Sequence, residues 1–471
     1  MKNNFQRVLL MRMRSQLIKN VKHPHHVYPP LTLKYMEALL RQEGGYAVKL
    51  IDTWLGSPTI DELVREAHDW QPDVVIIMAN PVDSQTAFEF GRALKQQHTF
   101  FLTAVGQEVA MHLERFWEAN SPFDVALPGE SEIEALNMMT LLNAKGAAAV
   151  KEKYHPSTGL APFVAEDLNK LPFPTYTPEE IEQYCFSAYP LRMKKNAKWG
   201  FILSSRGCPY KCFFCSPVMR KTTGEKVRVR SVANVVDEIE HLMRLGVNVI
   251  SFEDDDLTAK KGHIQGLCDE IRARNIQVSW ICHARVDEVT PELMKAMKDA
   301  GCILIRFGVE SANERILQLL NKNPRKKDWR KICNEAFHEA RRLGIATNAL
   351  IIIGNPDETA EEIENTINFV VELNPDMVQV HFFTVYPGSP AYEVYKSRVP
   401  EDQVAKLHHY NLPIVNLSKL SEQELWKLRS HFYKRFFMRT AFVFSHILHY
   451  SLFYLTNPKV FHQLWNVTGI L

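Results

Sequence analysis

The most informative segment of the chain is Ser204-Ser205-Arg206-Gly207-Cys208-Pro209-Tyr210-Lys211-Cys212-Phe213-Phe214-Cys215-Ser216-Pro217. It follows the apolar run Gly200-Phe201-Ile202-Leu203, which predicts a strand leading into a tight loop. The three cysteines are spaced C-x3-C-x2-C, so their thiolates can converge on one iron–sulfur cluster. Gly207 and Pro209 ease the sharp turn that such a loop needs. Three thiolates are one ligand too few for a closed four-iron cluster, so one iron is expected to stay open to a substrate.

The cysteine motif resembles the signature of the radical S-adenosylmethionine (SAM) superfamily. That signature, C-x3-C-x-aromatic-C after a strand, stands here as Cys208, Cys212, Phe214 and Cys215. The resemblance implies that the three cysteines hold a 4Fe-4S cluster whose open iron chelates the amino and carboxylate groups of SAM. An electron from the cluster would then split the sulfonium and give a 5'-deoxyadenosyl radical. Phe214 matches the aromatic residue that lies beside the adenine in this family.

Two simpler interpretations of the cysteines are a structural zinc site and unpaired core cysteines. Zinc needs four ligands, usually as two C-x2-C or Cys/His pairs, and no second pair follows Cys215. The motif therefore favours the iron–sulfur cluster.

Composition and charge indicate a soluble protein. A chain of 471 residues with 46% hydrophobic and 23% charged residues has room for about two to four domains. Its net charge of +2 gives no reason to expect nucleic acid as a partner. Eight cysteines, three of them in one loop, do not form a secreted disulfide framework, so a reducing cytoplasm is expected. The run Val8–Met11, followed by Arg12 and Arg14, is too short for a signal peptide and is interpreted as the first strand.

Residues 1–145 alternate short apolar runs with helical patterns, as expected for a doubly wound, Rossmann-like parallel sheet with helices on both faces. The predicted strands are Val8–Met11, Ala47–Ile51, Val74–Met78, Phe100–Ala104 and Val125–Leu127. Apolar residues at helical spacing predict helices over Leu31–Gln42 and Ile60–Ala67.

The same segment is similar to the cobalamin-binding domain attached to one large radical SAM class. The shared features are Tyr28-Pro29-Pro30-Leu31, Asp52 closing the second strand, Pro72-Asp73 before the third and Gly129-Glu130-Ser131-Glu132 after the fifth. The resemblance implies cofactor contacts from Gly106, Gly129 and Glu130.

Two departures from that class bear on whether cobalamin is bound. The chain has no Asp-x-His-x-x-Gly, so the histidine ligand to cobalt is missing, as it is in many members of the class. After the fourth strand the class usually has Gly-Gly, which lets the backbone approach the nucleotide tail of the cofactor, whereas this chain has Gly106-Gln107. The sequence thus predicts a cobalamin-type fold and leaves cobalamin itself an open question.

Residues 146–195 contain six prolines and lack strong periodicity, which predicts a linker over the surface. From 196 to 395, six strand–helix units follow one another and predict a partial (β/α)6 barrel of TIM type, which the resemblance identifies as the radical SAM barrel. The predicted strands are Gly200–Ser204, Val249–Glu253, Val278–Cys282, Ile303–Val309, Ala346–Ile353 and Met377–Thr384. Active sites of such barrels lie at the carboxyl ends of the strands.

Residues at these strand ends match the positions that contact SAM in the superfamily. The resemblance places Glu253, Asp254 and Asp255 at the amino group of SAM, Glu310 and Ser311 at its ribose or polar end, and Gly354 and Glu358 near its adenine. Arg285 is a candidate for the SAM carboxylate, and a structural pair with Asp287 is an equal contender. Acidic strand ends are often helix caps, which is the simpler interpretation of Asp357 and Thr359.

Residues 396–471 are helical in pattern and are expected to form a C-terminal helical cap, with a helix start at Ser421. The uncharged stretch Thr440–Pro458 lies at the lower edge of spanning length, so no membrane helix is predicted. It is expected to cover the barrel mouth, with peripheral membrane contact as the less favoured alternative. The basic run from Lys322 to Lys331 is expected to be a solvated face.

These features together predict a cytoplasmic radical SAM enzyme of biosynthesis that removes hydrogen from an unactivated carbon of a small-molecule substrate. The resemblance implies an external electron donor of the flavodoxin or ferredoxin type. Because Gln107 replaces the second glycine, the prediction favours a non-methylating reaction such as dehydration, deoxygenation or ring closure. The runner-up is cobalamin-dependent C-methylation. An alternative from another class is a non-catalytic iron–sulfur protein that transfers electrons or senses redox state.

Overall fold

Two parallel sheets organise the protein, one built from residues 7–126 and the other from residues 199–382. The computed structural model describes residues 5–14, 26–56, 58–80, 83–98, 100–159, 161–186, 197–215, 226–400, 403, 407 and 413–439.

The first sheet has the predicted Rossmann-like arrangement. The strands of this half are β1 (Arg7–Arg12), β2 (His26–Val27), β3 (Ala47–Asp52), β4 (Val74–Met78), β5 (Phe101–Val105) and β6 (Val125–Ala126). Five of them pair in parallel in the order β3-β1-β4-β5-β6. Counted within the sheet this order is 2-1-3-4-5, a doubly wound topology whose ligand crevice lies between the ends of the first and third strands, here β1 and β4.

Helices cover both faces of this sheet. They are α1 (Leu31–Gln42), α2 (Ile60–Trp70), α3 (Ser84–Gln97), α4 (Gln107–Met111) and α5 (Ser131–Tyr154). Because both faces are covered, β4 and β5 are buried along their whole length. The bounds of α1 are those predicted. A capping box formed by Thr59 and Glu62 starts α2 at the predicted residue, and the helix runs three residues beyond its predicted end at Ala67.

The second sheet is the predicted partial barrel. The strands after β6 are β7 (Cys185–Phe186), β8 (Trp199–Ile202), β9 (Ser205–Arg206), β10 (Arg228–Val229), β11 (Val249–Phe252), β12 (Ser279–Arg285), β13 (Cys302–Glu310), β14 (Ala346–Ile353) and β15 (Met377–Phe382). Six of them pair in parallel in the order β8-β11-β12-β13-β14-β15, so β8 and β15 form the two edges. The short strands β9 and β10 form an antiparallel ribbon beside it, and β2 pairs with β7.

The helices of this half are α6 (Pro178–Gln183), α7 (Val232–Arg244), α8 (Lys261–Ala273), α9 (Pro291–Asp299), α10 (Glu314–Leu319), α11 (Trp329–Leu343), α12 (Ala360–Leu373), α13 (Pro390–Tyr395) and α14 (Glu422–Phe437). Side-chain caps begin several of them: Ser231 caps α7, and Thr359 caps α12. The simpler interpretation of Thr359 is therefore confirmed.

The segment predicted as a linker packs against both halves of the protein. Helix α5 continues past its break at Gly146, where φ is +82°, and ends at Tyr154. Further on, Ile181 is buried in the apolar core of the barrel. The hydroxyl of Tyr184 donates to Asp52 at the end of β3, over 2.9 Å. These contacts connect the two sheets.

Helix α14 lies along the edge of the barrel. The backbone N–H of Val380 in β15 donates to the hydroxyl of Tyr433 over 3.1 Å, which gives this edge strand a hydrogen-bond partner. Arg435 pairs with Glu364 of α12 at 3.1 Å. The stretch Thr440–Pro458 lies outside the described residues, so its place over the barrel mouth stays a prediction. Within the described ranges, no helix is both long and apolar enough to cross a bilayer.

Candidate active site

The cysteine loop, defined here as Gly207–Cys215, follows β8 and β9 at the carboxyl end of the barrel. Gly207 has a φ of +90°, which allows the sharp turn into the loop. The backbone N–H of Phe213 donates to Leu320 over 2.9 Å, and its carbonyl accepts from the N–H of Ala391 over 3.1 Å. These bonds fasten the loop to the segments that follow β13 and β15.

The thiols of this loop suit an iron–sulfur cluster. Cys212 is buried, Cys208 and Cys215 are half-buried, and none of the three forms a disulfide. Across the described ranges, no three His, Cys, Asp or Glu side chains are grouped closely enough to hold a single metal ion. A 4Fe-4S cluster does not need such convergence, because each thiolate binds a different iron. Burial raises the pKa of the Cys208 thiol to about 11, so iron must displace its proton on binding.

Asp254 holds the entrance to the cysteine loop. Its carboxylate accepts from the N–H and hydroxyl of Ser204, at 3.1 and 2.7 Å, and from the hydroxyl of Ser205. Burial raises the pKa of Asp254. The sequence predicts that this carboxylate meets the amino group of SAM. In the structure it accepts hydrogen bonds from Ser204 and Ser205, the residues that lead into the loop.

Asp255 and Asp256 offer acceptors close to Cys208. The Oδ2 atom of each is buried, and none of the described groups donates to it. Burial, together with the charge of Asp254, raises the pKa of Asp255 to about 7. Buried acceptors without partners are costly, so an ammonium donor such as that of SAM fits here. Glu253 is half-buried and accepts from the hydroxyl of Ser251 over 2.5 Å.

Arg285 makes the structural pair with Asp287, Nε to Oδ1, at 3.0 Å. Its Nη2 atom donates to the carbonyl of Lys322 over 2.8 Å, and its guanidinium lies 3.9 Å from the ring centroid of Tyr210. The remaining end, Nη1, lies 3.9 Å from Sγ of Cys212. The guanidinium is thus fixed beside the cysteine loop.

Glu310 ends β13 with a φ of +65°, which is uncommon outside glycine. Its carboxylate pairs with Nζ of Lys322 at 3.0 Å, and both residues are buried. A Cβ atom on Gly308 would lie 2.5 Å from the Glu310 carboxylate and 2.6 Å from Nζ, so the glycine makes room for the pair. The expectation that the basic run is a solvated face is therefore wrong for Lys322, because a buried carboxylate compensates its charge.

Ser311 and Glu358 stabilise the turns in which they lie. The hydroxyl of Ser311 is 3.3 Å from that of Thr366. Oε2 of Glu358 accepts from the N–H of Asn355 over 3.0 Å, while its Oε1 has no partner in the described part of the chain. Burial raises the pKa of Glu358 to about 8, so it is largely protonated at neutral pH.

The predicted adenine neighbours lie near the apolar mouth of the barrel. Phe214 is half-buried against a cluster that includes Phe383 and Val385. Gly354 turns the chain after β14 with a φ of +77°. Their contact with adenine stays a prediction.

A cavity of about 350 Å³ lies where the carboxyl ends of the two sheets face each other. Its lining includes Arg12, Met78, Asn80, Gly106, Gly129 and Glu130 from the first sheet and Phe201, Leu203, Arg206, Glu253 and Asp255 from the barrel. The volume is within the range of small-molecule sites, roughly 300–1,000 Å³. The ends of β1 and β4 contribute to it, as the strand order requires. Residues predicted for cobalamin and for SAM thus meet in one cavity.

Gly106 and Gly129 in the cavity wall have no room for a side chain, because backbone atoms of the protein itself lie against them. Gly106 has a φ of +103°, and a Cβ atom there would lie 2.9 Å from the carbonyl oxygen of Ala79. Gly129 has a φ of +90°, and its Cβ would lie 2.3 Å from the carbonyl oxygen of Phe163. The carboxylate of Glu130 accepts from the N–H of Ala165 over 2.7 Å. Cofactor contacts by Gly106, Gly129 and Glu130 stay predictions.

Sequence reasoning missed the pairing of Arg206 with Glu132. The two side chains are buried and meet at 2.7 Å, although 74 positions separate them. Both stand in motifs that the sequence displays, the cysteine stretch and the turn Gly129–Glu132. No periodicity or spacing indicates that these motifs touch, because the contact joins parts of two different sheets.

Comparison with known proteins agrees with this geometry. The sequence pattern of the radical SAM superfamily matches residues 202–370, which hold the cysteine loop and the barrel strands from β11 to β14. An uncharacterized methyltransferase from Pyrococcus horikoshii is 26% identical over 437 residues, covering 90% of this chain and 91% of that protein. The anaerobic magnesium-protoporphyrin IX monomethyl ester cyclase of Cereibacter sphaeroides is also 26% identical, covering 94% of this chain and 69% of the cyclase.

A solved structure shares the arrangement of both sheets. The radical SAM methyltransferase TsrM from Kitasatospora setae, with cobalamin and a 4Fe-4S cluster bound, matches with a TM-score of 0.62 at 16% identity, over 84% of this chain and 75% of TsrM. The protein is an enzyme, and its radical SAM domain implies a 4Fe-4S cluster and SAM as cofactors. Residues 202–370 are therefore a radical SAM domain, and the chain shares the fold of the cobalamin-bound radical SAM enzyme TsrM.

Proposed function

We propose that the enzyme carries out a non-methylating radical reaction, such as dehydration, deoxygenation or ring closure, on a small molecule bound in the cavity between the two sheets. The observation that carries the preference over methyl transfer is Gln107, which lines the cavity directly after Gly106. A side chain at this position narrows the approach to the nucleotide tail of a corrinoid. The similarity to a cyclase over 94% of this chain supports a reaction of this kind.

When bound, the cluster and SAM supply one-electron cleavage of the sulfonium and the capacity to remove hydrogen from an unactivated carbon. The chain's own residues bind and orient these groups. Cys208, Cys212 and Cys215 would hold the iron, and the Oδ2 atoms of Asp255 and Asp256 would accept from the SAM ammonium. Part of the cavity wall is apolar, including Met78, Phe201 and Leu203. Once substrate fills the cavity, these side chains would help to keep water from reactive species.

Methyl transfer through cobalamin is the second candidate. The cavity lies at the crevice of the doubly wound sheet, between that sheet and the barrel. The similarity to a methyltransferase over 90% of this chain and the shared fold with cobalamin-bound TsrM both favour it.

Anaerobic reconstitution with iron and sulfide, with and without cobalamin, separates the two candidates. About four irons per chain and release of 5'-deoxyadenosine from SAM are expected, and the triple change of Cys208, Cys212 and Cys215 to Ala should abolish both. Stoichiometric uptake of cobalamin with formation of S-adenosylhomocysteine would overturn the preference for a non-methylating reaction. Mass spectrometry of the small-molecule products measures these outcomes.

An external one-electron donor of the flavodoxin or ferredoxin type completes this proposal, and a reducing cytoplasm would keep the thiols available for iron. The exposed residues Arg325 and Lys326 supply a basic surface for such a partner. The segment that carries them is joined to the cysteine loop a few positions earlier, where the side chain of Asn321 donates to the carbonyl of Lys211 over 2.7 Å.

A further inference from the structure

We propose that Glu130 and Glu132 of the N-terminal half are positioning residues for the cluster-binding cysteines of the barrel. They bind Arg206, which lies just before the cysteine loop in the chain, and Arg228, which lies after it. The inference rests on the cluster assigned in the proposed function. It adds that the cobalamin-type domain, and not the barrel alone, sets the geometry of the cluster site.

Arg206 forms a two-bond ion pair with Glu132. Its Nη2 atom lies 2.7 Å from Oε1, and its Nη1 atom lies 3.3 Å from Oε2. Nη1 also lies 3.7 Å from a carboxylate oxygen of Glu130. The side chain of Arg206 is 7% exposed and those of both glutamates are 2% exposed, so water contributes little to holding this arginine. The next two residues in the chain are Gly207 and Cys208.

Arg228 repeats this arrangement on the far side of the loop. Its Nη2 and Nη1 atoms lie 2.5 and 3.0 Å from the two carboxylate oxygens of Glu130. Arg228 is also directly opposite Arg206 in the antiparallel ribbon of β9 and β10. The turn Gly129–Glu132 of the N-terminal half therefore binds both strands of the ribbon, β9 and β10, between which the cysteine loop lies in the chain.

The same turn forms part of the cavity wall. Glu130 and Glu132 stand at the start of α5, just after Gly129, and both line the cavity together with Arg206 and Asp255. Loss of one partner from a buried ion pair leaves an uncompensated charge, so the remaining arginine would have to move toward water. That movement would displace the residues next to Cys208. A change at Glu130 or Glu132 would thus reach Cys208 through Arg206 and Gly207.

The test compares Glu132→Gln with the unaltered chain, both reconstituted anaerobically with iron and sulfide. Glu132→Gln should release iron to a chelator about tenfold faster, as expected when an outer partner of a metal site is lost. It should also alter the electron paramagnetic resonance (EPR) spectrum of the reduced cluster with SAM. The matched control is Glu180→Gln, which breaks another ion pair to the N-terminal half, to the buried Lys34 at 2.6 Å. Its iron release and spectrum should equal those of the unaltered protein.

Equal iron release and equal spectra for Glu132→Gln and Glu180→Gln would overturn the inference. If Glu132→Gln does not fold, as judged by circular dichroism, Glu132→Asp replaces it, since the shorter side chain keeps the charge but loses the two-bond geometry. Glu132→Asp should show an intermediate rate of iron release, and a rate equal to that of the unaltered chain would refute the role of Glu132. Failure of the unaltered chain to bind iron would instead refute the cluster assignment itself, which keeps the two failures distinguishable.

Discussion

The Nη1 atom of Arg285 lies 3.9 Å from Sγ of Cys212, and both side chains are buried. Contacts with Asp287, the carbonyl of Lys322 and the ring of Tyr210 prevent the guanidinium from turning away. A buried charge is weakly screened, so a cation at this distance stabilises the more negative, reduced state of a cluster bound to Cys212.

Arg285→Gln should therefore lower the reduction potential of the cluster by an amount on the order of tens of millivolts. A redox titration of the reconstituted protein, followed by EPR, measures this shift. Arg274→Gln is the control, because Arg274 pairs with Asp237 at 2.6 Å on the outer surface of the barrel and should leave the potential unchanged. An unaltered potential combined with weaker SAM binding would assign Arg285 to the SAM carboxylate instead.

Gly129→Ala should destabilise the protein even without any cofactor. The new Cβ atom would lie 2.3 Å from the carbonyl oxygen of Phe163, in addition to the strain of a φ of +90°. Gly159→Ala is the matched control, since Gly159 also has a positive φ, +64°, but no atom within 4 Å of the new Cβ. We expect a loss of about 1 kcal/mol for Gly159→Ala and roughly 2 kcal/mol more for Gly129→Ala. Urea unfolding measures the free energy of unfolding of both variants. Similar losses would mean that the backbone at Phe163 moves to make room for the new Cβ atom.

Glu358 should make the protein less stable as the pH rises. Burial raises its pKa from 4.5 to about 8, so the folded state keeps a proton that the unfolded state has lost between these values. The contribution of this proton to the free energy of unfolding is complete below pH 4.5. It is lost as the pH rises from there through 8, at about 1.4 kcal/mol per pH unit. Glu358→Gln stays neutral, so its stability relative to the unaltered chain should increase over this window. Thermal unfolding at several pH values checks this.

Glu424→Gln provides a contrast to that experiment. Hydrogen bonds from Ser421 hold the pKa of Glu424 below its ordinary value, so its substitution should alter the pH dependence only in acid. Parallel stability curves for Glu358→Gln and the unaltered chain between pH 5 and about 8 would contradict burial as the cause of the raised pKa of Glu358.

Reversing the charge of Arg325 and Lys326, each to Glu, should slow reduction of the cluster by an acidic flavodoxin-type protein several-fold at low salt. The effect should shrink at high ionic strength, because exposed charges are screened. Reduction by a small chemical reductant should not change. Arg65→Glu, on the exposed face of α2, is the control. The donor should reduce the cluster of this variant at the same rate as that of the unaltered chain. Stopped-flow absorbance follows the rates, and equal salt dependence in all variants would place the donor elsewhere.

Much of the fold could be predicted because its causes are local. The bounds of α1 and β14 agree with the predicted ones, since runs of apolar residues with a fixed period report which face of an element is buried. The cysteine loop can be predicted for the same reason. Its three cysteines are close together in the chain, so their spacing alone identifies them as ligands of one cluster. The order of strands and helices then indicated both sheets.

The roles of individual charged residues could not be predicted in this way. Asp254 and Asp255 are adjacent and chemically identical, yet one carboxylate is taken up by Ser204 and Ser205 while Oδ2 of the other has no donor among the described groups. The difference arises because each side chain points to a different neighbour once β8 and β11 pair. Lys322 likewise stands in a basic run that predicts a solvated face, yet it is buried and pairs with Glu310.

The two sheets and the cysteine loop follow from the sequence alone, because hydrophobic period and ligand spacing act between positions close in the chain. Three relations become visible only in the folded chain: Glu132 meets Arg206, Arg285 faces Cys212, and residues of both halves line one cavity. Those relations depend on how separate units dock. Docking is set by the complementarity of whole surfaces, which no short stretch of sequence contains.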